Sequence, residues 1–376
     1  MNKPYRLLAP GPVPVPRSVL ERMSEKLLHH RTPAFEKILL ETWAGLQYVF
    51  STRQAVQILT GTGSAAMEAA VLNTLSPGDQ ALVVVSGKFG ERWAEICERY
   101  GVKTERWNLE WGRPASAPEL SARLKANPRF KAVFTQVCET STATVHPIQK
   151  MAEVVRQDST ALFAVDAITA VGCMPLPMDE WQLDVVIAGS QKAFMIPTGL
   201  SFIAMSERAW SAQKNSKLPK YYFDLALEKK ANDRKETHFS TPTPLVTGLS
   251  MVVNRMREVG LDKVIARCAL LARNTREFGK DVGLGTFSNA PSDSVTALTT
   301  PTDSAKLRDQ LEKDDNITVM GGQDQLKGKI LRVGHMGDVR DEDMLALFAA
   351  LATKLGKPFD EAKYKTNLSS VGTLFQ

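Results

Sequence analysis

The chain has 376 residues, more than one hydrophobic core usually serves, so we expect about two domains. Its 43% hydrophobic and 23% charged residues are typical of a soluble globular protein and exclude a disordered, collagen-like or disulfide-scaffold chain. The net charge of +6 is small for this length, and basic residues alternate with acidic ones, so we expect no nucleic-acid partner.

The amino-terminal stretch resembles neither a signal peptide nor a membrane anchor. Residues 1–16 contain five prolines, which do not fit a helix interior, so we predict an extended arm. No apolar run approaches the roughly 20 residues that span a bilayer, so no membrane partner is expected. The cysteines are scattered and include no C-x-x-C pair, which favours a reducing cytoplasm over a disulfide or metal framework. They are Cys97, Cys138, Cys173 and Cys268.

From residue 33 onwards, helices alternate with short apolar strands. Apolar residues at helical spacing predict a helix over 33–50. Continuous apolar runs then predict strands, and the turn and helix patterns between them indicate a mostly parallel sheet covered on both faces. The predicted strands are 55–59, 81–85, 131–137, 161–166, 184–190 and 201–206.

The pattern changes after residue 260. Helices near 261–282, 304–313 and 340–355 enclose short strand-like segments, which predicts a smaller α/β domain. We therefore divide the chain into an arm (1–16), a large domain (17–260) and a small C-terminal domain (261–376).

A glycine-rich turn follows the first predicted strand of the large domain. Residues 60–64, TGTGS, open into a helix, whose free N–H groups and dipole favour a phosphate. Residues 61–66 also match the dinucleotide pattern G-x-G-x-x-A, which leaves an NAD(P)-binding oxidoreductase as an alternative. That pattern requires a carboxylate at the end of the next strand, whereas residues 85–87 are Val-Ser-Gly.

Two charged residues follow later strands of the same sheet. Asp166 ends the run ALFAVD, and Lys192 follows DVVIAGSQ and precedes the apolar run AFMI. A lysine in apolar surroundings loses part of its preference for the charged form and becomes a nucleophile towards carbonyls. A phosphate turn, a strand-end carboxylate and such a lysine are the three groups that fix pyridoxal phosphate: the carboxylate keeps the pyridine nitrogen protonated, and the lysine forms the Schiff base.

These motifs resemble the class V aminotransferases of fold type I, specifically the alanine–glyoxylate and serine–pyruvate group. The resemblance runs from Ala9-Pro10-Gly11-Pro12 to Leu331-Arg332-Val333-Gly334 and includes TGTGSAAMEA (60–69), Val165-Asp166 and Ser190-Gln191-Lys192. It implies a large domain with a mostly parallel seven-stranded sheet flanked by helices, a smaller C-terminal α/β domain, pyridoxal 5′-phosphate as cofactor, and a homodimer with a shared active site.

The resemblance also implies roles for individual residues. The phosphate contacts fall on Thr62, Gly63, Ser64 and Gln191. Phe89 matches the aromatic residue that stacks on the cofactor ring. In the stretch 139–142, ETST, Thr140 or Thr142 would bind the ring hydroxyl or the Asp166 carboxylate, although Ala143 replaces the usual following glycine.

Three further positions concern the substrate and the partner subunit. Arg332 matches the arginine that binds the substrate carboxylate, which a guanidinium can grip with two parallel hydrogen bonds. Thr241, or Ser240 if the alignment shifts by one, would reach the phosphate of the partner subunit, with His238 in place of the usual tyrosine. The stretch 29–31, His-His-Arg, resembles a Gly-His-Arg segment near the site entrance, and a polar cluster at a helix start is the alternative.

The implied reaction moves an amino group from a small amino acid, alanine or serine, to a small 2-oxo acid, glyoxylate or pyruvate. In it, the Lys192 amine takes the α-proton and returns it to the C4′ carbon of the cofactor. A phosphonate- or phosphoserine-type transaminase is an alternative within the family. A cysteine desulfurase is not expected, because that chemistry needs a thiol shortly before the carboxylate-binding arginine, and residues 314–332 contain no cysteine.

Overall fold

The computed structural model describes residues 3–375. Residues 1, 2 and 376, the outer ends of the predicted arm and C-terminal domain, lie outside the described residues. The strands, in chain order, are β1 Arg6–Leu7, β2 Val56–Thr60, β3 Gln80–Val85, β4 Lys103–Asn108, β5 Phe130–Gln136, β6 Cys138–Glu139, β7 Thr144–Val145, β8 Leu162–Asp166, β9 Val185–Gly189, β10 Leu200–Met205, β11 Gly285–Thr286, β12 Val295–Thr299, β13 Ile317–Thr318, β14 Met320–Gly321 and β15 Ile330–Gly334.

The α-helices vary from about two turns to almost six turns, and a short 3-10 turn covers Asp324–Leu326. They are α1 Arg17–Met23, α2 Pro33–Phe50, α3 Gly63–Thr74, α4 Lys88–Arg99, α5 Ala117–Ala126, α6 Ile148–Asp158, α7 Glu207–Gln213, α8 Leu225–Asn232, α9 Thr243–Val259, α10 Leu261–Asp281, α11 Ser304–Asp315, α12 Asp341–Leu355 and α13 Glu361–Leu368.

A seven-stranded sheet forms the larger part of the structure, in the order β2-β10-β9-β8-β5-β3-β4. Neighbouring strands are parallel except at β10, which runs antiparallel to both β2 and β9. Alternate residues of β3 belong to different cores: Leu82 and Val84 pack on one face, and Ala81, Val83 and Val85 on the other. Burial on both faces explains why these strands are continuous apolar runs, and it confirms the predicted mostly parallel sheet.

The sequence analysis assigned no strand to the segment that forms β4. In this strand charged and polar residues surround one buried side chain, Trp107. β4 pairs only with β3, so it lies at the edge of the sheet, where a strand is partly exposed to solvent. Its apolar signal is therefore too weak for the continuous pattern that identified the buried strands.

The C-terminal part is built on a four-stranded antiparallel sheet in the order β11-β12-β15-β14. A separate core joins this sheet to α10 and α12 through Leu298, Leu331, Phe278 and Phe348. This smaller α/β unit confirms the predicted fold class, while the boundaries at residues 16 and 260 stay a prediction. The sequence analysis assigned no helix to the segments that form α1, α5, α7, α8, α9 and α13.

The amino-terminal arm connects the two sheets. Its strand β1 pairs in parallel with β13, and the Gly334 N–H donates to the Leu8 carbonyl at 2.7 Å, so the arm lies against the end of β15. A few residues later the Pro10 carbonyl lies beside Lys192. Within residues 3–375, no helix has both the length and the apolar composition needed to cross a bilayer.

Candidate active site

The predicted cofactor-binding residues of the large domain meet at one edge of the central sheet, apart from the 240–241 segment. Asp166 ends β8, and the loop after β9 carries Lys192; the register Asp166↔Ile187 places the two strand ends side by side. The turn after β2 reaches the same edge, where the Gly61 N–H donates to the Gly199 carbonyl at 2.9 Å. Carboxyl ends of parallel strands form the usual ligand-binding edge of open α/β sheets.

The glycine-rich turn leads into the 12-residue helix α3. Thr62 occupies the N-cap position, but its hydroxyl makes no capping hydrogen bond and is free for a ligand. A Cβ on Gly63 would lie 2.5 Å from Cδ1 of Ile168, two residues after Asp166. Glycine therefore lets this turn lie directly against the Asp166 loop, and the helix N-terminus provides N–H groups suited to phosphate.

Asp166 is a buried carboxylate with little compensation from the chain. Its Oδ1 accepts one hydrogen bond, from the Ile168 N–H at 2.8 Å. Burial raises the pKa of Asp166 to about 7; the Ile168 hydrogen bond and the charges of Arg92 and Lys192 oppose that rise, and Glu139 adds to it. A cation beside the free carboxylate oxygen would restore the charged form.

Lys192 is buried as well, with 9% of its surface exposed. Its Nζ donates to the Pro10 carbonyl at 2.7 Å. Burial lowers the pKa of Lys192 to about 8, although the Asp166 carboxylate opposes this shift. The arm passes so close that a Cβ on Gly11 would lie 2.6 Å from Cδ of Lys192, and Gly11 has φ +136°, which also favours glycine. This lysine therefore has the access to its neutral form that imine chemistry requires.

Arg332 lies in the middle of β15 and is 7% exposed. Its Nε donates to the Gly321 carbonyl at 2.9 Å and one Nη1 N–H to the Thr140 carbonyl at 3.1 Å. In residues 3–375, no carboxylate oxygen lies within 4.0 Å of the Arg332 guanidinium, the limit for an ion pair. No atom of these residues accepts a hydrogen bond from Arg332 Nη2. A buried guanidinium whose charge is not neutralised within the chain suits the carboxylate of a ligand.

The two threonines of the ETST stretch have different surroundings. The Thr140 hydroxyl is 2.9 Å from that of Thr169, three residues after Asp166, so Thr140 lies between the Asp166 loop and Arg332. The Thr142 hydroxyl instead contacts the Glu139 carbonyl and Thr144 within its own turn. The structure thus brings Thr140 to the cluster, while a cofactor contact of Thr142 stays a prediction.

Ala143 follows this turn with φ +56°, in the left-handed region. The conformation explains why glycine is usual at this position in the resembling family, because a Cβ there adds local strain. The chain keeps the turn despite the alanine.

Gln191 and Phe89 lie beside the predicted phosphate and ring positions. The buried Gln191 Oε1 has no hydrogen-bond partner within the described chain. Because a side-chain amide can rotate to exchange its oxygen and nitrogen, it can offer an N–H to a phosphate from this place. Phe89 lies in the first turn of α4, where its backbone N–H donates to Glu139 at 3.1 Å.

The sequence analysis missed the roles of Glu139 and Arg92. The fully buried Glu139 carboxylate accepts five hydrogen bonds, including those from the N–H groups of Phe89 and Gly90 at the start of α4. The guanidinium of Arg92 lies over the Phe89 ring, and its Nη1 donates to Ser64. Phe89 and Arg92 are three residues apart on one helix, and this spacing was the available signal for the role of Arg92.

The remaining predicted residues lie in a different region of the chain. Phe239 stacks on Tyr222, with ring centroids 4.7 Å apart, and Arg31 forms an ion pair with Glu236, so the 29–31 and 236–241 segments are neighbours. Among residues 3–375, no hydrogen bond joins Ser240 or Thr241 to Lys192, Asp166 or the glycine-rich turn of the same chain. Their predicted role toward a partner's phosphate stays a prediction.

The donor set fits pyridoxal phosphate. One side offers a helix N-terminus with two hydroxyl side chains, as a phosphate requires. The other offers a buried carboxylate for the pyridine nitrogen and a buried lysine for the aldehyde. The Gly63–Ile168 contact joins the phosphate turn directly to the carboxylate loop.

Comparison with known proteins gives a consistent family. Residues 7–334 match the family described as Aminotransferase class-V. The chain is 31% identical over 363 residues to a serine–glyoxylate aminotransferase of Methylorubrum extorquens, covering 93% of this chain and 90% of that protein. It is 38% identical over 362 residues to a protein of Synechococcus sp. named soluble hydrogenase, small subunit, covering 95% and 94% of the two chains.

A solved structure gives the same result. The crystal structure of ureidoglycine–glyoxylate aminotransferase from Bacillus subtilis superposes with a TM-score of 0.91 at 29% identity and covers 99% of each chain. These similarities do not favour the dinucleotide-binding alternative for residues 61–66. With the family match over most of the chain and a site that fits the cofactor, we conclude that the chain belongs to the class V aminotransferases and is a pyridoxal-phosphate-dependent transaminase.

Proposed function

We propose that this transaminase moves the amino group of alanine or serine to glyoxylate or pyruvate, with Lys192 as the cofactor-binding lysine and Arg332 as the carboxylate-binding residue. The observation that carries this proposal is the pair of buried cations, Lys192 and Arg332, on either side of the Asp166 loop. Neither forms an ion pair with a carboxylate of the described residues, so the site is suited to anionic ligands.

Each residue has a distinct task in this proposal. Pyridoxal phosphate, when bound, supplies the electron sink for the bond broken at the substrate α-carbon. Asp166 pairs with the protonated pyridine nitrogen, and Lys192, with its pKa near 8, accepts the α-proton as a general base. Arg332 orients the substrate by its α-carboxylate, and Thr62, Gly63, Ser64 and Gln191 hold the phosphate.

The proposed substrates follow from the relatives together with the site. The relatives from Methylorubrum and Bacillus share glyoxylate in their names and differ in the amino donor. Arg332 is suited to the α-carboxylate that alanine, serine and both 2-oxo acids have in common. A phosphoserine-type substrate would need a second anion site in addition to Arg332, whereas a phosphonate-type amino donor would place its phosphonate at Arg332 in place of a carboxylate.

We further propose a homodimer in which Thr241, or Ser240, reaches the partner's phosphate. Beside these residues the chain exposes large apolar side chains: Leu27 is 70%, Tyr221 77% and Tyr222 44% exposed. A cluster of exposed aromatic residues is typical of a protein–protein interface. The same surface includes the 29–31 segment, so a partner chain would cover both.

A cytoplasmic location is also proposed. All four cysteines are buried free thiols. Free thiols are the usual state in a reducing compartment, so this supports the proposal.

Replacing Lys192 with Ala tests the central assignment. We expect turnover to fall by about a thousandfold or more, since general-base catalysis alone contributes about 10²- to 10⁴-fold and the covalent link is lost too. Borohydride treatment with pyridoxal phosphate should leave a stable adduct on Lys192 of the wild-type protein, identified by peptide mass, and none on the variant. The exposed Lys217→Ala serves as the control. Substantial transamination by Lys192→Ala would show that another residue does this chemistry.

Replacing Arg332 with Gln tests the carboxylate site. For alanine, kcat/KM should fall by about 10²-fold or more, because truncating one side of a buried charge pair costs about 2–5 kcal/mol. For alaninamide, which lacks the carboxylate, kcat/KM should fall far less. The variant should therefore discriminate only weakly between alanine and alaninamide. The kcat/KM of Arg332→Lys for alanine should lie between those of the wild-type protein and Arg332→Gln. Lysine keeps the positive charge but cannot make the two parallel hydrogen bonds of a guanidinium. Equal losses for alanine and alaninamide would contradict the role.

The raised pKa of Asp166 predicts a pH effect on the cofactor-free protein. The unfolded carboxyl releases its proton near 3.8 and the folded one near 7, so the folded state binds more protons in between. Its stability should therefore decrease as pH rises through this window, by a few kcal/mol at most relative to Asp166→Asn. Urea unfolding of both proteins at about pH 4 and about pH 7 measures the difference. Parallel pH dependences would show that Asp166 is not buried in this way.

Light scattering tests the dimer. The wild-type protein should have twice the 41.4 kDa mass of one chain, and Tyr222→Asp should dissociate it and weaken cofactor binding. Thr241→Ala should weaken cofactor binding without changing the mass. Tyr5→Asp, at another exposed aromatic residue, is the matched control. A wild-type monomer with full cofactor affinity would refute the shared site.

A further inference from the structure

We propose that Arg92 is a positioning residue of the cofactor site, which orients the Ser64 hydroxyl towards the cofactor phosphate and holds the Phe89 ring for stacking. This inference rests on the proposed roles of Ser64 and Phe89. It adds a residue that neither the glycine-rich turn nor the lysine motif contains, and it assigns the phosphate site a cation.

The contact with Ser64 fixes the direction of one hydrogen bond. Nη1 of Arg92 donates to Ser64 Oγ at 3.0 Å. A serine hydroxyl has one proton to donate and accepts through its lone pairs. With a guanidinium N–H on the acceptor side, the Ser64 proton points elsewhere, and no described residue accepts it. A phosphate at the start of α3 is the acceptor that this arrangement anticipates, and the adjacent positive charge strengthens the bond.

The contact with Phe89 fixes the aromatic ring. The Arg92 guanidinium lies over the ring, 4.9 Å from its centroid, so a stacked cofactor would take the opposite face. The backbone of the same residue is held independently, because the N–H groups of Phe89 and Gly90 both donate to Glu139 at 3.1 Å. Phe89 is thus held by a carboxylate through its backbone and by a cation through its ring.

The charge of Arg92 has no counter-charge of its own. Within residues 3–375, no carboxylate lies within 4.0 Å of its guanidinium. Its nearest described partners are a hydroxyl and an aromatic ring. A phosphate dianion at the N-terminus of α3 would give Arg92 a counter-charge within ion-pair distance. The same charge also opposes the burial-driven rise in the Asp166 pKa, which places Arg92 within electrostatic reach of the carboxylate loop.

The test compares pyridoxal phosphate with pyridoxal, which lacks the phosphate, as ligands of the cofactor-free protein. For Arg92→Met we expect the affinity for pyridoxal phosphate to fall about tenfold, the size of one charge-assisted hydrogen bond, and that for pyridoxal by about twofold or less. The affinity of Arg92→Lys for pyridoxal phosphate should fall less than that of Arg92→Met, because lysine keeps the charge. Absorbance titration measures both affinities without turnover. The exposed Arg99→Met, on the same helix, should bind both ligands like the wild-type protein.

A double-mutant cycle with Ser64→Ala tests the route. If Arg92 acts through the Ser64 hydroxyl, the loss in the double variant should be clearly smaller than the two single losses combined. Equal losses for pyridoxal phosphate and pyridoxal, full additivity, or wild-type affinity in Arg92→Met would each overturn the proposal. Failure of the wild-type protein to form the borohydride-stable lysine adduct would overturn the proposed function as well, so the two failures are distinguishable.

Discussion

The site is governed by the burial of charges that the chain does not neutralise itself. Lys192, Asp166 and Arg332 are each less than 10% exposed, and within residues 3–375 none of them has an ion-pair partner at 4.0 Å or less. Burying charge without a partner is costly, and removing water strengthens every remaining electrostatic interaction. The opposite shifts in the pKa values of Asp166 and Lys192 are the direct result. A ligand that carries a cation, a carboxylate and a reactive carbonyl supplies what is missing, so binding and chemistry have the same physical origin.

Glu139 shows the contrasting case of a carboxylate that the chain does satisfy. It is fully buried beside the same cluster, but five donors surround it, two of them at the start of α4. Burial raises its pKa while these hydrogen bonds oppose the rise, which is the pattern of a structural carboxylate. The two acidic residues thus differ in their surroundings, because five donors of the protein surround Glu139 whereas Asp166 accepts a single hydrogen bond, from Ile168.

The sequence predicts the central sheet well, and it places the candidate site residues on that sheet, because both depend on local patterns. Buried parallel strands are continuous apolar runs, and Asp166 and the Lys192 motif follow such strands directly. The edge strand β4 has a weaker pattern because it is half exposed. The helix α9 contains Gly248 and several β-branched residues, which have lower helix propensity. Contacts between distant segments cannot be read from spacing: Arg332 reaches Thr140 across 192 positions, and Arg92 reaches Ser64 from another helix.

The amino-terminal arm shows how such distant groups are kept close to each other. The Leu8 carbonyl accepts from the Gly334 N–H, two residues after Arg332, and the Pro10 carbonyl accepts from Lys192 Nζ. These acceptors are two positions apart, with Ala9 between them, and an extended chain advances at most about 3.6 Å per residue, which limits the link to roughly 7 Å. The arm therefore ties the strand that carries Arg332 to Lys192, the two residues proposed to bind the substrate carboxylate and the cofactor. If Lys192 bonds to the cofactor as proposed, it must leave Pro10, and the Pro10 carbonyl can then hold the amine beside the site whenever the amine is free.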